Sequence, residues 1–454
     1  MRTASDFANV EGLPGPRGLP YFGSYFDVVS DRLGLFTDGR DQFGDLVRYK
    51  FGPFRFVVLH DPDAIHHVLV KHHARYVKSR SYDGLRLVMG NGLVTSEGDF
   101  WKRQRKLSQP AFHRKRLATL ASTMSRLTEE LVTEWSGRHS RDLDLHDAMM
   151  RLTLRIVGHT LFSTELSAEA GRLGPAITTA LHRANLEAET AIRLPLWVPT
   201  PSNLRFHRAQ RILDSAIGSI IAERRDDPRD RGDLLSMLMQ VEDEETREQM
   251  TDQQLRDEVL TLFLAGHETI ATHMSWNWKL LTEHPRWARA VREEAESVLG
   301  GRSPTLEDLP KLEVAGRVIQ ESMRLYPPVW IIERTAKEDD EVTGRVIDKD
   351  TIVAACPWTL HRHPGLWSDP LRFDPDRFLP ERSVGRHRYA YIPFGAGPRI
   401  CIGNHFALME AKIILTTLIQ RFAVQVHHPE RVGLDPGITL RPEGGMPGTV
   451  RSMS

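Results

Sequence analysis

The feature that most constrains this chain is one long helical pattern near its middle. Thr251-Asp252-Gln253-Gln254 has the spacing of a capping box, a hydroxyl at the N-cap and an amide three residues on. The pattern then runs to about Pro285, which at 1.5 Å per residue is roughly 50 Å, enough to cross a whole domain. Residues 259–265, Val-Leu-Thr-Leu-Phe-Leu-Ala, are apolar on every side of such a helix. A helix of that kind is stable in water only when buried. Directly after it comes Gly266-His267-Glu268-Thr269, a polar cluster inside a buried element. Thr269 can hydrogen-bond back to the carbonyl of Ala265, loosening the helix and opening a notch, and Gly266 removes a side chain beside it. Zinc hydrolysis is excluded, since the residue four beyond His267 is Ala271 and His273 comes six later. His66-His67, His72-His73, His361 and His363 read as surface or packing residues.

Helical patterns dominate elsewhere, and strands are expected in two places. Residues 46–51 and 55–59, joined through Gly52-Pro53, form one hairpin pattern, and residues 341–355 form a second, with turns near Gly344 and Asp348 to Asp350. Almost three hundred residues apart, the two could pair into one small mixed sheet beside a helical body. The fold class is therefore mainly α with a small β portion. Residues 1–30 read as an extended, proline-rich lead-in. Residues 226–233, Asp-Asp-Pro-Arg-Asp-Arg-Gly-Asp, read as a charged surface break between helices.

Composition narrows the function classes. Sixty basic residues balance sixty acidic ones, so bulk charge points to neither nucleic acid nor an anionic membrane. No apolar run reaches the roughly 18 residues of a membrane span, and residues 1–30 carry no leader pattern, so a soluble protein without an anchor is expected. Two cysteines in 454 residues argue against a disulfide framework and for a reducing, cytoplasmic setting. By length alone two or three domains would be expected.

One of the two cysteines carries the chemistry. Cys356, in Val353-Ala354-Ala355-Cys356, reads as a small buried hydrophobe. Cys401 lies in Phe394-Gly395-Ala396-Gly397-Pro398-Arg399-Ile400-Cys401-Ile402-Gly403, a glycine-rich loop with an arginine just ahead of an apolar helix. Free N–H groups and the positive end of a helix dipole favour a thiolate there, and the glycines let a flat ligand approach. Phe-x-x-Gly-x-Arg-x-Cys-x-Gly resembles the haem-binding signature of the cytochromes P450 at every specified position. Ala265-Gly266-x-Glu268-Thr269 resembles that family's distal-helix motif, with Ile270 where a second threonine is common.

The resemblance covers nearly the whole chain and implies a single haem domain over residues 1–454, with haem b (iron protoporphyrin IX) between the long helix and the cysteine-loop helix. It implies Cys401 as axial ligand to the iron, a bond that favours O–O cleavage, and Thr269 and Glu268 as the pair delivering protons to bound oxygen. Phe394, Gly395, Gly403, Ala265 and Gly266 would contact the macrocycle, and Trp101, Arg105, Arg334 and Arg399 would bind its propionates. Glu321 and Arg324, one turn apart among apolar neighbours, with Arg377 of Phe373-Asp374-Pro375-Asp376-Arg377-Phe378, would form a structural triad. The distal pocket would draw on residues 82–94, 194–198, 263–269 and 329–332, with substrate contacts from Leu85, Leu87, Val88, Met89, Phe263, Ala265, Val329, Trp330 and Ile331.

The implied activity is monooxygenation by O2 of a lipophilic small molecule of terpenoid, fatty acyl or polyketide type. Electrons would come from NAD(P)H through a separate ferredoxin or flavodoxin system with its reductase, and the protein would act as a monomer. By their charge, Lys102, Arg103, Lys106, Arg114, Lys115 and Arg116 read either as a docking face for an acidic donor protein or as a solvated helix face. Two alternatives stay open: a haem-thiolate peroxygenase or isomerase needing no external electrons, and a non-catalytic haem-binding protein.

Overall fold

The structure, a computed structural model, describes residues 12–112, 114–137, 139–163, 167–189, 195–227, 229–242 and 249–453. The chain forms two compact units interleaved in sequence. The first is Met1–Tyr82 with Met323–Cys401, and the second is Asp83–Ser322 with Ile402–Ser454.

Twelve strands occur among the described residues: β1 (Leu46–Phe51), β2 (Phe54–Leu59), β3 (Tyr76–Lys78), β4 (Ser140–Asp144), β5 (Ile332–Ala336), β6 (Asp340–Val342), β7 (Arg345–Ile347), β8 (Ile352–Ala355), β9 (Phe422–Val426), β10 (Gly433–Pro436), β11 (Leu440–Glu443) and β12 (Pro447–Ser452). In the first unit a five-stranded sheet has the order β1-β2-β8-β5-β3. The two expected hairpin regions do meet, through the parallel pair β2 and β8 with Phe56 opposite Ile352. The second region is divided, however: β6 and β7 pair only with each other around Thr343-Gly344, and β8 leaves them for the larger sheet. Val57, Leu59, Ile65, Leu69, Ile332, Val353 and Ile392 lie in the apolar core of this unit.

The lead-in is extended only in part. Pro14 accepts a hydrogen bond from the Arg48 amide at 2.8 Å, and Gly23 bridges to Phe51, so the segment runs against β1. Residues 25–30, expected to be extended, form the helix Tyr25–Ser30 instead. Residues 1–11 lie outside the described residues.

The second unit is built around the helix Asp252–Glu283. Its capping box forms in full: the Gln254 amide donates to Thr251 Oγ1 at 3.2 Å, and the Thr251 amide donates to Gln254 Oε1 at 2.8 Å. The helix stops at His284, because Pro285 cannot supply the next N–H and instead opens the following helix. The helices Leu145–Phe162, Pro201–Asp226 and Asn404–Arg421, with β9 and β11, pack against it. Between residues 257 and 281 every residue is buried except Ala265, Gly266 and Thr269. A three-stranded sheet β4-β12-β9 and the hairpin β10–β11 complete the unit; neither was expected, because β4 is nearly all polar and the last strands carry proline, glycine and charge. The charged break lies between Pro201–Asp226 and Leu234–Gln240, and its last residue, Asp233, turns inward to cap the second of these through the Ser236 amide. Among the described residues no helix is long and apolar enough to cross a membrane.

Candidate active site

In the second unit the site begins with the opening in the long helix. Ala265, Gly266 and Thr269 share one face at i, i+1 and i+4 spacing. The Thr269 hydroxyl donates to the Ala265 carbonyl at 2.7 Å, the back-bond that drains a rung of the helix ladder. The Thr153 hydroxyl, on Leu145–Phe162, donates to the His267 carbonyl at 3.0 Å. Gly266 answers to a neighbouring helix as well as to the opening, since a Cβ there would lie 3.2 Å from Val157 Cγ2.

Glu268 sits beside this opening and is buried. Its Oε1 accepts from Thr439 Oγ1 at 2.6 Å, and Arg441 Nε lies 3.9 Å from the same oxygen. Burial raises the acid's pKa above the usual glutamate value, and the Thr439 hydrogen bond and the Arg441 charge pull back against it. His267 is buried and stacked on Phe263, with its pKa lowered to about 3 by burial and secondarily by His146. It is a neutral packing residue, and no cluster of potential metal ligands occurs among the described residues.

The segment after the helix Tyr82–Met89 is fastened to the long helix by two acids. The Asn91 amide donates to Asp257 at 2.8 Å and the Leu93 amide to Glu258 at 3.1 Å. Gly92 is required there, because a Cβ would lie 2.0 Å from Thr261 Oγ1. Sequence reasoning did not find Asp257 and Glu258, which look like ordinary acids of the helix's second turn, and their burial was the missing signal.

Trp101 and Arg105 lie one turn apart on the helix Gly98–Ser108, the first buried and the second half-buried. Lys102 pairs with Asp99 at 2.8 Å on its exposed face. The side chains of Arg114, Lys115 and Arg116 lie outside the described residues. Gly403 caps the helix Asn404–Arg421.

In the first unit the cysteine loop is an independent construction. The Cys401 amide donates to the Phe394 carbonyl at 2.9 Å, and the Gly395 amide donates to the Ile392 carbonyl at 3.0 Å. Gly395 and Gly397 have φ of 74° and 68°, in the left-handed region that glycine occupies without strain. Gly397 also has no room for a side chain, since a Cβ would lie 2.0 Å from the Leu69 carbonyl oxygen. Cys401 is exposed, whereas Cys356 is buried with its thiol 3.4 Å from the Trp330 carbonyl. An exposed sulfur at the end of a glycine-rich loop is a donor set that fits a haem iron.

Behind this loop lies a buried frame. Arg324 donates to the carbonyls of His361 at 2.7 Å, Pro370 at 2.6 Å and Arg372 at 3.2 Å. Arg377 donates to the Asp369 carbonyl at 2.7 Å and shares the Arg372 carbonyl at 3.2 Å. His361 Nε2 in turn accepts the Ile392 amide at 2.9 Å. A short run of hydrogen bonds thus leads from Arg324 through His361 to Ile392, two residues ahead of Phe394 where the cysteine loop opens. Glu321 is buried one turn before Arg324 on the helix Glu313–Leu325. Arg334 is buried and donates to the Glu333 carbonyl at 2.7 Å and the Tyr82 hydroxyl at 3.3 Å. Arg399 is half-buried.

The expected substrate contacts divide. Leu85, Leu87, Ala265, Val329 and Ile331 are partly open, whereas Val88, Met89 and Phe263 are buried, with Phe263 against Phe162. Trp330 is buried as well, with its ring stacked on Phe36 at a centroid distance of 6.3 Å. Of residues 194–198, Leu194 lies outside the described residues and Trp197 is exposed.

Comparison with known proteins agrees with these features. The family model for cytochrome P450 matches residues 13–446. The chain is 36% identical over 450 residues to cyclooctatin synthase of Streptomyces melanosporofaciens, covering 98% of this chain and 96% of that protein. It is 36% identical to cyclooctat-9-en-7-ol 5-monooxygenase of the same organism, over 84% of this chain and 83% of the relative, and 33% identical to pentalenene oxygenase of Streptomyces avermitilis, over 94% and 92%. The crystal structure of the cytochrome P450DA heme domain superposes with a TM-score of 0.88 at 26% identity, over 97% of this chain and 98% of that one.

Proposed function

This chain belongs to the cytochrome P450 family, and on that premise we propose that it inserts one oxygen atom from O2 into a terpenoid, by hydroxylation or epoxidation, with electrons passed from NAD(P)H by a separate ferredoxin and reductase. The observation that carries this reading is the opening of Ala265, Gly266 and Thr269 in an otherwise buried helix, next to a buried acid. A haem held through Cys401 supplies the binding and reductive activation of O2. Trp101, Arg105, Arg334 and Arg399 would hold its propionates, and Phe394, Gly395, Gly403, Ala265 and Gly266 would lie against the macrocycle. Arg324 and Arg377 would have a structural role behind the cysteine loop, and Glu321 would support Arg324 from one turn earlier on the same helix.

The oxygen chemistry assigned to this chain's own side chains is proton handling. The Thr269 hydroxyl can exchange its bond to the Ala265 carbonyl for one to an oxygen in the opening, and Glu268 can replace the proton that Thr269 passes on. Retention of this acid and alcohol pair favours a monooxygenase over a peroxygenase, an isomerase or a haem carrier, none of which needs it.

The terpenoid class is supported by the relatives named for cyclooctatin, cyclooctat-9-en-7-ol and pentalenene, and by the apolar, partly open Leu85, Leu87, Val329 and Ile331. A cytoplasmic location suits two cysteines that form no disulfide.

The carbon monoxide difference spectrum of the reduced protein tests the ligand: a strongly red-shifted Soret band is expected, and an unshifted band would remove Cys401 from the iron. With pentalenene as the first probe and a ferredoxin system as donor, Thr269→Ala is expected to divert most NADPH electrons into peroxide. Unchanged coupling would remove Thr269 from the proton path.

A further inference from the structure

We propose that the β10–β11 hairpin is where Glu268 takes up protons from solvent, with Thr439 holding the carboxyl in its loading position and Arg441, bridged to Asp435, governing access to it. This rests on the oxygen-activation role given to Glu268 above and adds two positioning residues that act through Glu268.

The geometry is a short series of polar groups leading outward. Thr439 Oγ1 donates to Glu268 Oε1 at 2.6 Å. Arg441 faces two acids at once, with Nε 3.9 Å from Glu268 and Nη2 2.9 Å from Asp435. Side-chain exposure rises along the series, 5% for Glu268, 28% for Arg441 and 43% for Asp435. The hairpin fixes the arrangement, because Asp435 and Arg441 are directly opposed in the β10–β11 register. Trp276 Nε1 ties the hairpin to the long helix through the Leu440 carbonyl at 2.7 Å.

One guanidinium serving two carboxylates is a natural control on a proton. With Arg441 hydrogen-bonded to Asp435 at 2.9 Å and standing 3.9 Å from Glu268, as here, burial outweighs the weaker of its two ion pairs and favours the neutral acid. Swung toward Glu268, the same cation would favour the carboxylate and so favour release. Thr439, both donor and acceptor, can pass a proton while holding the carboxyl. The balance is simple: the proton that Glu268 gives up toward Thr269 is replaced by one from water at the hairpin, with no electron transferred and no bond other than O–H changed.

The test is infrared difference spectroscopy on the holoenzyme. Glu268→Gln identifies the carboxylic acid C=O band, and rapid dilution into D2O times its isotope shift. Thr439→Val and Arg441→Gln are each expected to slow that exchange about tenfold or more, with haem content and the carbon monoxide band unchanged. Thr439→Ser and Arg441→Lys are expected to restore the rate. Wild-type exchange in Thr439→Val and Arg441→Gln, while Glu268→Gln and Thr269→Ala still divert electrons to peroxide, overturns the hairpin role and leaves the function standing. Slow exchange that the conservative variants do not rescue marks lost packing and overturns it too. Full coupling in Glu268→Gln overturns both the hairpin role and the proton path it serves.

Discussion

His361 is a neutral hinge between a cation and a loop. Its Nε2 accepts the Ile392 amide, so the ring proton must sit on Nδ1, and burial, with Arg324 and Arg362 nearby, holds its pKa well below the histidine value. His361→Ala leaves a buried N–H without an acceptor, a cost of about 1–3 kcal/mol before any cavity is counted. Haem occupancy and melting temperature should both fall, which the ratio of Soret to protein absorbance and a thermal melt will show. Arg324→Lys should be worse, because one ammonium cannot reproduce a planar fork reaching three carbonyls; little or no haem-loaded protein is the expected yield. The arginine's importance was legible in sequence, since a charge among Val318, Ile319, Met323 and Leu325 must be partnered. The histidine's was not, because its acceptor role comes from a backbone group 31 residues away.

Among the elements, the two glycines of the cysteine loop separate strain from space. Gly395 has a left-handed φ but no atom closer than 3.6 Å to a would-be Cβ, so Gly395→Ala meets strain alone, about 1–2 kcal/mol. Gly397→Ala meets the same strain and the Leu69 carbonyl at 2.0 Å, so the loop must move. The red-shifted carbon monoxide band should largely survive the first substitution and be lost or replaced in the second. At the start of the long helix, Thr251→Ala removes one arm of the capping box and should cost about 1 kcal/mol, read as faster amide exchange in residues 252–256. This helix was legible from end to end because its cap, its apolar body and its stopping proline are all local signals. The β10–β11 hairpin was not, since its value lies in meeting Glu268 across 171 residues of sequence.

At the scale of the molecule, acid is the expected weakness. His60, His267 and His273 are buried with pKa values lowered to about 3, His146 to about 4, and His361 well below its ordinary value, each chiefly by desolvation. Such groups stay neutral in the fold but bind a proton once unfolded, where their pKa is about 6.5. They cost nothing above pH 6.5, and each subtracts about 1.4 kcal/mol per pH unit below it until its folded pKa is reached. Melting temperature should therefore drop steeply from pH 6.5 to 4.5, and a flat profile would contradict the burial described. The parallel pairing of β2 with β8 bears on how the chain is made. His60 and Thr359, which meet through Nδ1 and Oγ1 at 2.8 Å, are 299 residues apart. At about 5–20 residues per second a ribosome needs roughly 15–60 s to supply the second after the first. Throughout that interval the nascent β1–β2 ribbon has an open edge on the β2 side, exposed to pairing with other chains until β8 is made.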